Sequence, residues 1–255
     1  MRSNRQTRKL PNLLGQLPID DDTGSEHHHR DIQGGAARAA IFGVNDGLVA
    51  NTALILGVVG ANPSSAVVRL VGVAGLLAGA FSMAAGEYIS MSAQRELFER
   101  ELELEAKELL DRPESEHKEL QKIYEARGLE PELASLLASK MMGSPEQALR
   151  THAREELGIN PENLGSPWQA SLSSMVATAF GGLVPLISWF FVAGTAAIVA
   201  SIILVGLVAV IVGLALAKFT GKSYIFTAFR QLAICSICAT ATFVIGRTIG
   251  VSAIH

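Results

Sequence analysis

Residues 38–57 read RAAIFGVNDGLVANTALILG, and the one charge after Arg38, Asp46, interrupts an apolar run that extends from 39 to 62. A helix needs roughly 20 mainly apolar residues to cross about 30 Å of hydrocarbon, so this stretch predicts a membrane span with an ionisable group inside it. Four further runs, 68–92, 170–190, 194–217 and 224–250, are as long and carry few charges. The 255-residue chain is 49% hydrophobic with a mean hydropathy of +0.32, more apolar than a soluble domain of this length. The expected fold is all-α, a polytopic membrane protein with five transmembrane helices.

Orientation follows from the placement of Lys and Arg, which concentrate on the cytoplasmic side. Arg2, Arg5, Arg8, Lys9, Arg30 and Arg38 precede the first span, and Lys218 with Lys222 join the fourth to the fifth. The segments 61–67 and 188–195 are uncharged. The N-terminus is therefore expected in the cytoplasm and His255 outside, with Arg69 and Arg247 snorkelling to the outer interface. Residues 1–34 contain no apolar core of a secretory signal and read as a flexible cytoplasmic tail. His27, His28 and His29 fall in it as solvated residues.

Residues 93–165 differ in kind, with 17 of the chain's 24 carboxylates against 10 Lys and Arg. Leu97, Leu104, Leu109 and Leu110 recur near helical spacing, so the second span is expected to continue into the cytoplasm as one long helix. Pro113 breaks it, and helices are expected at 113–127, 130–142 and 145–157, punctuated by Gly128, Gly143 and Gly158. The domain plan is a tail at 1–34, spans one and two at 35–92, a cytoplasmic acidic helical bundle at 93–165 and spans three to five at 166–255.

From Gly165 onward there is no Asp or Glu, which leaves Asp46 and Glu87 as the carboxylates within the spans. An ionisable group in a span costs at least about 2.5 kcal/mol and is a functional hypothesis by default. At 1.5 Å per residue Asp46 lies roughly 10 Å from the cytoplasmic surface and Met83, on the returning span, roughly 13 Å. Carboxylate oxygen with thioether sulfur favours first-row divalent ions over Mg²⁺ and Ca²⁺. The bland alternative for Asp46 is a hydrogen bond to Asn45 or Thr52. Gly43 with Gly47, and Gly75 with Gly79, permit close helix approach, plausibly to a second subunit. Cys235 and Cys238 lack further ligands nearby and read as packing residues.

In the acidic segment Glu105 and Glu108 are three apart, and Glu116 and Glu119 repeat that spacing beyond Pro113. Residues at i and i+3 share a helix face, so two carboxylate pairs can converge. The last of the short helices adds His152, Glu155 and Glu156. Carboxylates with an imidazole suit Fe²⁺, Mn²⁺ or Zn²⁺; the alternative is a solvated acidic face.

The stretch 38–57, together with SMAAGEYIS at 82–90 and GGLVPLI at 181–187, resembles the vacuolar iron transporter family, and the likeness runs from about His29 to the C-terminus. The resemblance implies a homodimer of five-span subunits exchanging cytoplasmic Fe²⁺ for protons through a pore between subunits. Its pore aspartate and methionine fall on Asp46 and Met83, and its cytoplasmic metal-binding glutamates on Glu105, Glu108, Glu116, Glu119 and Glu156. Plant members carry two methionines where this chain has His152 and Ala153; that version looks more like bacterial members, with His152 as the replacement ligand.

The sequence thus points to a divalent-metal exporter in the bacterial inner membrane, moving Fe²⁺ with Mn²⁺, Zn²⁺ or Co²⁺ as alternatives. Asp46 and Met83 form the constriction, Glu87 is a relay at the inner entrance or a structural hydrogen-bonding residue, and no cofactor is permanently bound. Its partners are metal ions, protons, the bilayer and a second copy, with no nucleic acid. Two rivals are a membrane-tethered di-iron ferroxidase and a metal channel or sensor without proton coupling. The first needs two Glu-x-x-His motifs, and the acidic domain has one, Glu114 to His117.

Overall fold

The computed structural model describes residues 35–252, with side chains from Arg38 to Gly250. The N-terminal segment 1–34, with its three histidines, and the C-terminal His255 lie outside the described residues. Among those described, eight helices and no strand are found: α1 (Gly35–Gly60), α2 (Ser65–Asp111), α3 (Pro113–Ala126), α4 (Pro131–Met141), α5 (Pro145–Glu155), α6 (Pro167–Phe191), α7 (Gly194–Thr220) and α8 (Tyr224–Ser252). Five of them, α1, α2, α6, α7 and α8, are long and apolar enough to cross a membrane.

Helix α2 runs unbroken for 47 residues, about 70 Å at 1.5 Å per residue. Its apolar part, to about Ser92, is long enough to span hydrocarbon; its remainder, from Arg95, is densely charged and projects beyond. The helix stops where Pro113 forbids continuation, and α3, α4 and α5 each start with a proline in the first turn, where the missing N–H costs nothing. Gly128 (φ +97°) and Gly158 (φ +66°) turn the chain after α3 and α5. Helices α3 and α4 pair over Leu120, Tyr124, Ala134 and Ala138, while α5 packs against α2.

Helix α1 is the axis of the spanning part, packed along α6 and α8. The contact with α6 is backbone on backbone. A Cβ added at Gly47 would fall on the Thr178 carbonyl, and one at Gly181 on the carbonyl of Val44. Gly43 likewise meets Ser174 and Ala177. The expectation that this glycine pair faces a second subunit is therefore corrected: spacing announces a close approach but not the partner, and the partner is α6 of the same chain. Gly75 approaches Leu54 and Asn51 of α1, and Gly79 has open space beside it.

Polar groups inside the spanning part are mostly consumed locally. Beside Pro185, which interrupts the hydrogen-bond ladder of α6, Asn51 Nδ2 donates to the Gly182 carbonyl at 2.6 Å and Ser201 Oγ to the Pro185 carbonyl at 2.8 Å. Arg69 donates to the Trp189 carbonyl at the end of α6. Cys235 is buried with Leu48, Val205 and Ala209, and both cysteines are free thiols. Outward-facing side chains such as Leu70, Phe81, Phe191, Ile225 and Phe229 are largely exposed, as lipid contact requires.

The α1–α6 crossing yields a first prediction. Gly47→Val forces a branched carbon into backbone, so it should cost more than the about 1–3 kcal/mol of ordinary overpacking. Size-exclusion and melting in detergent should show a lower Tm or loss of the monodisperse peak. A variant that melts like its parent would show that the two backbones do not meet there.

Candidate metal sites

Where α2 passes α3 and α5, four side chains converge: Glu105 from α2, Glu116 from the first turn of α3, His152 from α5 and Glu156 from its C-cap. One ligand atom from each lies within 4.8 Å of all the others. His152 Nδ1 is 3.0 Å from Glu105 Oε1, 3.5 Å from Glu156 Oε2 and 3.9 Å from Glu116 Oε2. Ligands about 2.2 Å from one ion stand at most about 4.4 Å apart, so a small contraction would close the set on a single cation.

Burial separates this group from an ordinary acidic face. The side chain of His152 is 0% exposed and that of Glu105 4%. Neither ring nitrogen of His152 nor Glu105 Oε1 has a hydrogen-bond partner. Buried polar atoms without partners are rare and costly, and two of these, His152 Nδ1 and Glu105 Oε1, face one another. A divalent cation would satisfy that pair together, with Nε2 on the far side of the ring.

The spacing argument grouped Glu108 and Glu119 with these residues, but both are exposed and stand outside the four-residue set. They act on it at a distance. Burial, followed by the charges of Glu156, Glu116, Glu108 and Glu119, pushes the Glu105 carboxyl up to about 7 from its ordinary 4.5. Burial and then Glu119 also raise Glu116, with His152 pulling the other way. Glu155 turns aside to pair with Arg127. His117 bonds to Ser139 Oγ at 2.8 Å and to the Ser135 carbonyl, so the Glu-x-x-His motif of this segment lies outside the cluster.

A pH dependence follows. Between the unfolded value near 4.5 and the folded value near 7, the folded chain keeps a proton on Glu105 that the unfolded chain has released. Stability therefore falls as pH rises through that window, because the native state binds the extra proton. The metal-free protein should melt higher at about pH 5.5 than at about pH 7.5, and Glu105→Gln should shrink the difference. Equal pH dependence in the two proteins would show that Glu105 is not the group responsible.

Within the spans, Asp46 is exposed on the surface of the chain. It belongs to a ridge of α1 spaced by four, Arg38, Phe42, Asp46, Ala50 and Leu54, every member of which is exposed. The two nearby groups that could have tied it down are engaged elsewhere: Asn45 accepts from Gln231 of α8, and Thr52 Oγ1 donates to the Leu48 carbonyl. On α2, Met83 is half-buried, and Glu87, one turn on, takes Arg38 Nη2 at 3.1 Å.

Two participants escaped the sequence reading. Gln231 is buried in α8, and a long polar side chain inside an apolar run was the available signal. Arg38 counted as a topological charge, and nothing local announced a partner 49 residues away.

Comparison with known proteins closes on the same assignment. The chain is 30% identical over 226 residues to vacuolar iron transporter 1 of Arabidopsis thaliana, covering 87% of this chain and 90% of the relative. It is 33% identical over 211 residues to vacuolar iron transporter 1 of Eucalyptus grandis, covering 82% and 85%. With a vacuolar iron transporter of Acanthamoeba castellanii the identity is 35% over 178 residues, covering 70% and 64%. The sequence model of the VIT family matches residues 37–247, and the chain belongs to that family of transporters.

Proposed function

We propose that this metal transporter is an exporter of divalent transition metal, Fe²⁺ first, that works as a homodimer and exchanges the ion for protons. The observation that carries the reading is the exposed ridge of α1. A carboxylate at Asp46 facing lipid would cost at least about 2.5 kcal/mol, and covering that ridge with its copy in a second subunit removes the cost and forms a path between the two. Met83 and Glu87 lie on the neighbouring α2 and line the same path. The reading places the N-terminus and the bundle of α3, α4 and α5 in the cytoplasm and the C-terminus outside, in a bacterial inner membrane. Glu105, Glu116, His152 and Glu156 capture the ion, with Glu108 and Glu119 as outlying attractors.

In this cycle the ion sheds water at Asp46 and Met83, and a proton arriving at Asp46 from outside cancels the charge that holds it. The chain supplies hard oxygen, nitrogen and one soft sulfur, a donor set that admits Mn²⁺, Co²⁺ and Zn²⁺ as well. The test is uptake by proteoliposomes of the purified full chain, with a divalent-metal indicator inside, at equal pH and under an imposed proton gradient. Exchange predicts uptake that rises with the gradient and proton movement in the opposite direction. Uptake indifferent to the gradient would make the protein a channel.

A further inference from the structure

The inner end of the path carries a feature at odds with cation transport: a permanent cation stands in its mouth. Arg38 opens the exposed ridge of α1 two turns before Asp46, about 12 Å along the axis, and its guanidinium reaches across to Glu87 on α2 at 3.1 Å. Glu87 in turn lies one turn from Met83, on the same face of α2. The pair therefore joins the two helices that carry the constriction, on its cytoplasmic side.

The contact is asymmetric. Glu87 is 18% exposed and Arg38 54% exposed, so the acid is held in place while the guanidinium reaches in from water on a long stem. Among the described residues the ion pair of Glu87 is with Arg38 alone. Helix α6 packs here, through Ser171 Oγ on the Ala84 carbonyl at 2.8 Å and Trp168 against Tyr88, and it bears no charged residue. Arg95, the next base along α2, is committed to Glu99 at 2.7 Å. An ion pair this open to water is among the weak ones, whereas a divalent ion brings twice the charge to the same carboxylate.

We propose that Arg38 is a displaceable plug: with the mouth empty it neutralises Glu87, and an entering divalent cation must take that carboxylate from it before reaching Asp46 and Met83. Arg38 then swings away from Glu87 into the mouth of the path. The device keeps a lone acid from standing uncompensated at the membrane edge, and because the ion must compete with Arg38 for Glu87 it sets a concentration below which little metal enters. Arg38 acts through Glu87 and is a positioning residue. The proposal rests on the transport reading above.

The test is initial uptake into proteoliposomes over a range of Fe²⁺ concentrations, kept reduced, for the wild type, Arg38→Gln, Arg38→Lys, Glu87→Gln and the double variant. Arg38→Gln should lower the half-saturating concentration by about two- to five-fold, the range an exposed ion pair supports, while the saturating rate holds. Arg38→Lys should behave like the wild type, and Arg38→Gln should have no effect on KM once Glu87 is Gln. Arg38→Gln with unchanged KM, or with a lowered rate at every concentration and an intact size-exclusion profile, overturns the plug and makes the pair a structural tie. Wild-type vesicles that take up no metal overturn the transport reading instead, and the plug falls with it.

Discussion

Asp46→Ala is expected to reduce metal uptake to the level of protein-free vesicles while the protein still purifies as the wild type does. The two halves of that outcome have separate causes. Asp46 is exposed within the subunit and its neighbours Asn45 and Thr52 bond elsewhere, so its removal opens no cavity and orphans no partner. For the ion the loss is severe. Of the two carboxylates in the spans, Glu87 is bound to Arg38, so on the proposed transport reading Asp46 would be the anionic ligand at the constriction. Stripping an uncompensated charge of its partner costs about 3–5 kcal/mol, which corresponds to at least about 100-fold in uptake. Asp46→Asn keeps an oxygen donor but neither the charge nor the titration, and should lose both rate and the response to a proton gradient. Full uptake by Asp46→Ala would remove Asp46 from the path.

The second large effect is expected at the four-residue cluster. His152→Ala should weaken binding of Mn²⁺ or Co²⁺ to the detergent-solubilised full chain by at least about 100-fold, since losing even an outer-shell partner costs about 10- to 100-fold. Titration calorimetry reads this directly, and melting gives an independent measure. Metal at about 100 times Kd stabilises by about 2.7 kcal/mol, and a 100-fold loss of affinity leaves about 0.4 kcal/mol at the same concentration. Glu105→Gln should separate binding from stability. It removes a carboxylate that burial and four neighbouring acids oppose, so the metal-free protein should melt higher at neutral pH, while the gain on adding metal shrinks. If His152→Ala bound metal as the wild type does, the cluster would be a buried polar network and the capturing site would have to be sought among the exposed glutamates.

Most of the fold was legible because its signals are local. Five apolar runs gave five spanning helices, and Pro113, Pro131 and Pro145 gave the starts of α3, α4 and α5 within a residue. Glu105 and Glu108 could not be told apart, because residues three apart lie on one broad face. Only the packing of α5 buries the first and leaves the second in water. His152 was visible as an imidazole among acids, but its complete burial depends on α2, α3 and α5 meeting around it. The glycines of α1 show the same limit. Their spacing reports that another backbone comes close, and both α6 and a second subunit satisfied that report until the chain was folded.

The unbroken length of α2 sets how the two candidate sites can communicate. Thirteen residues separate Ser92, where the apolar part ends, from Glu105, so the cluster stands about 20 Å along α2 from the end of that part. Ionic screening in the cell has a length of about 8 Å. Over about 20 Å the field of anionic headgroups is largely screened, and metal binding at the cluster is expected to be indifferent to lipid composition. The residues between are a solvated mixture of acids and bases, Arg95, Glu96, Glu99, Arg100, Glu101 and Glu103. On the proposed transport reading an ion captured there would leave the cluster by dissociating into water. The cluster would then serve the path as a reservoir, setting how often an ion is nearby, and its release rate would matter as much as its affinity.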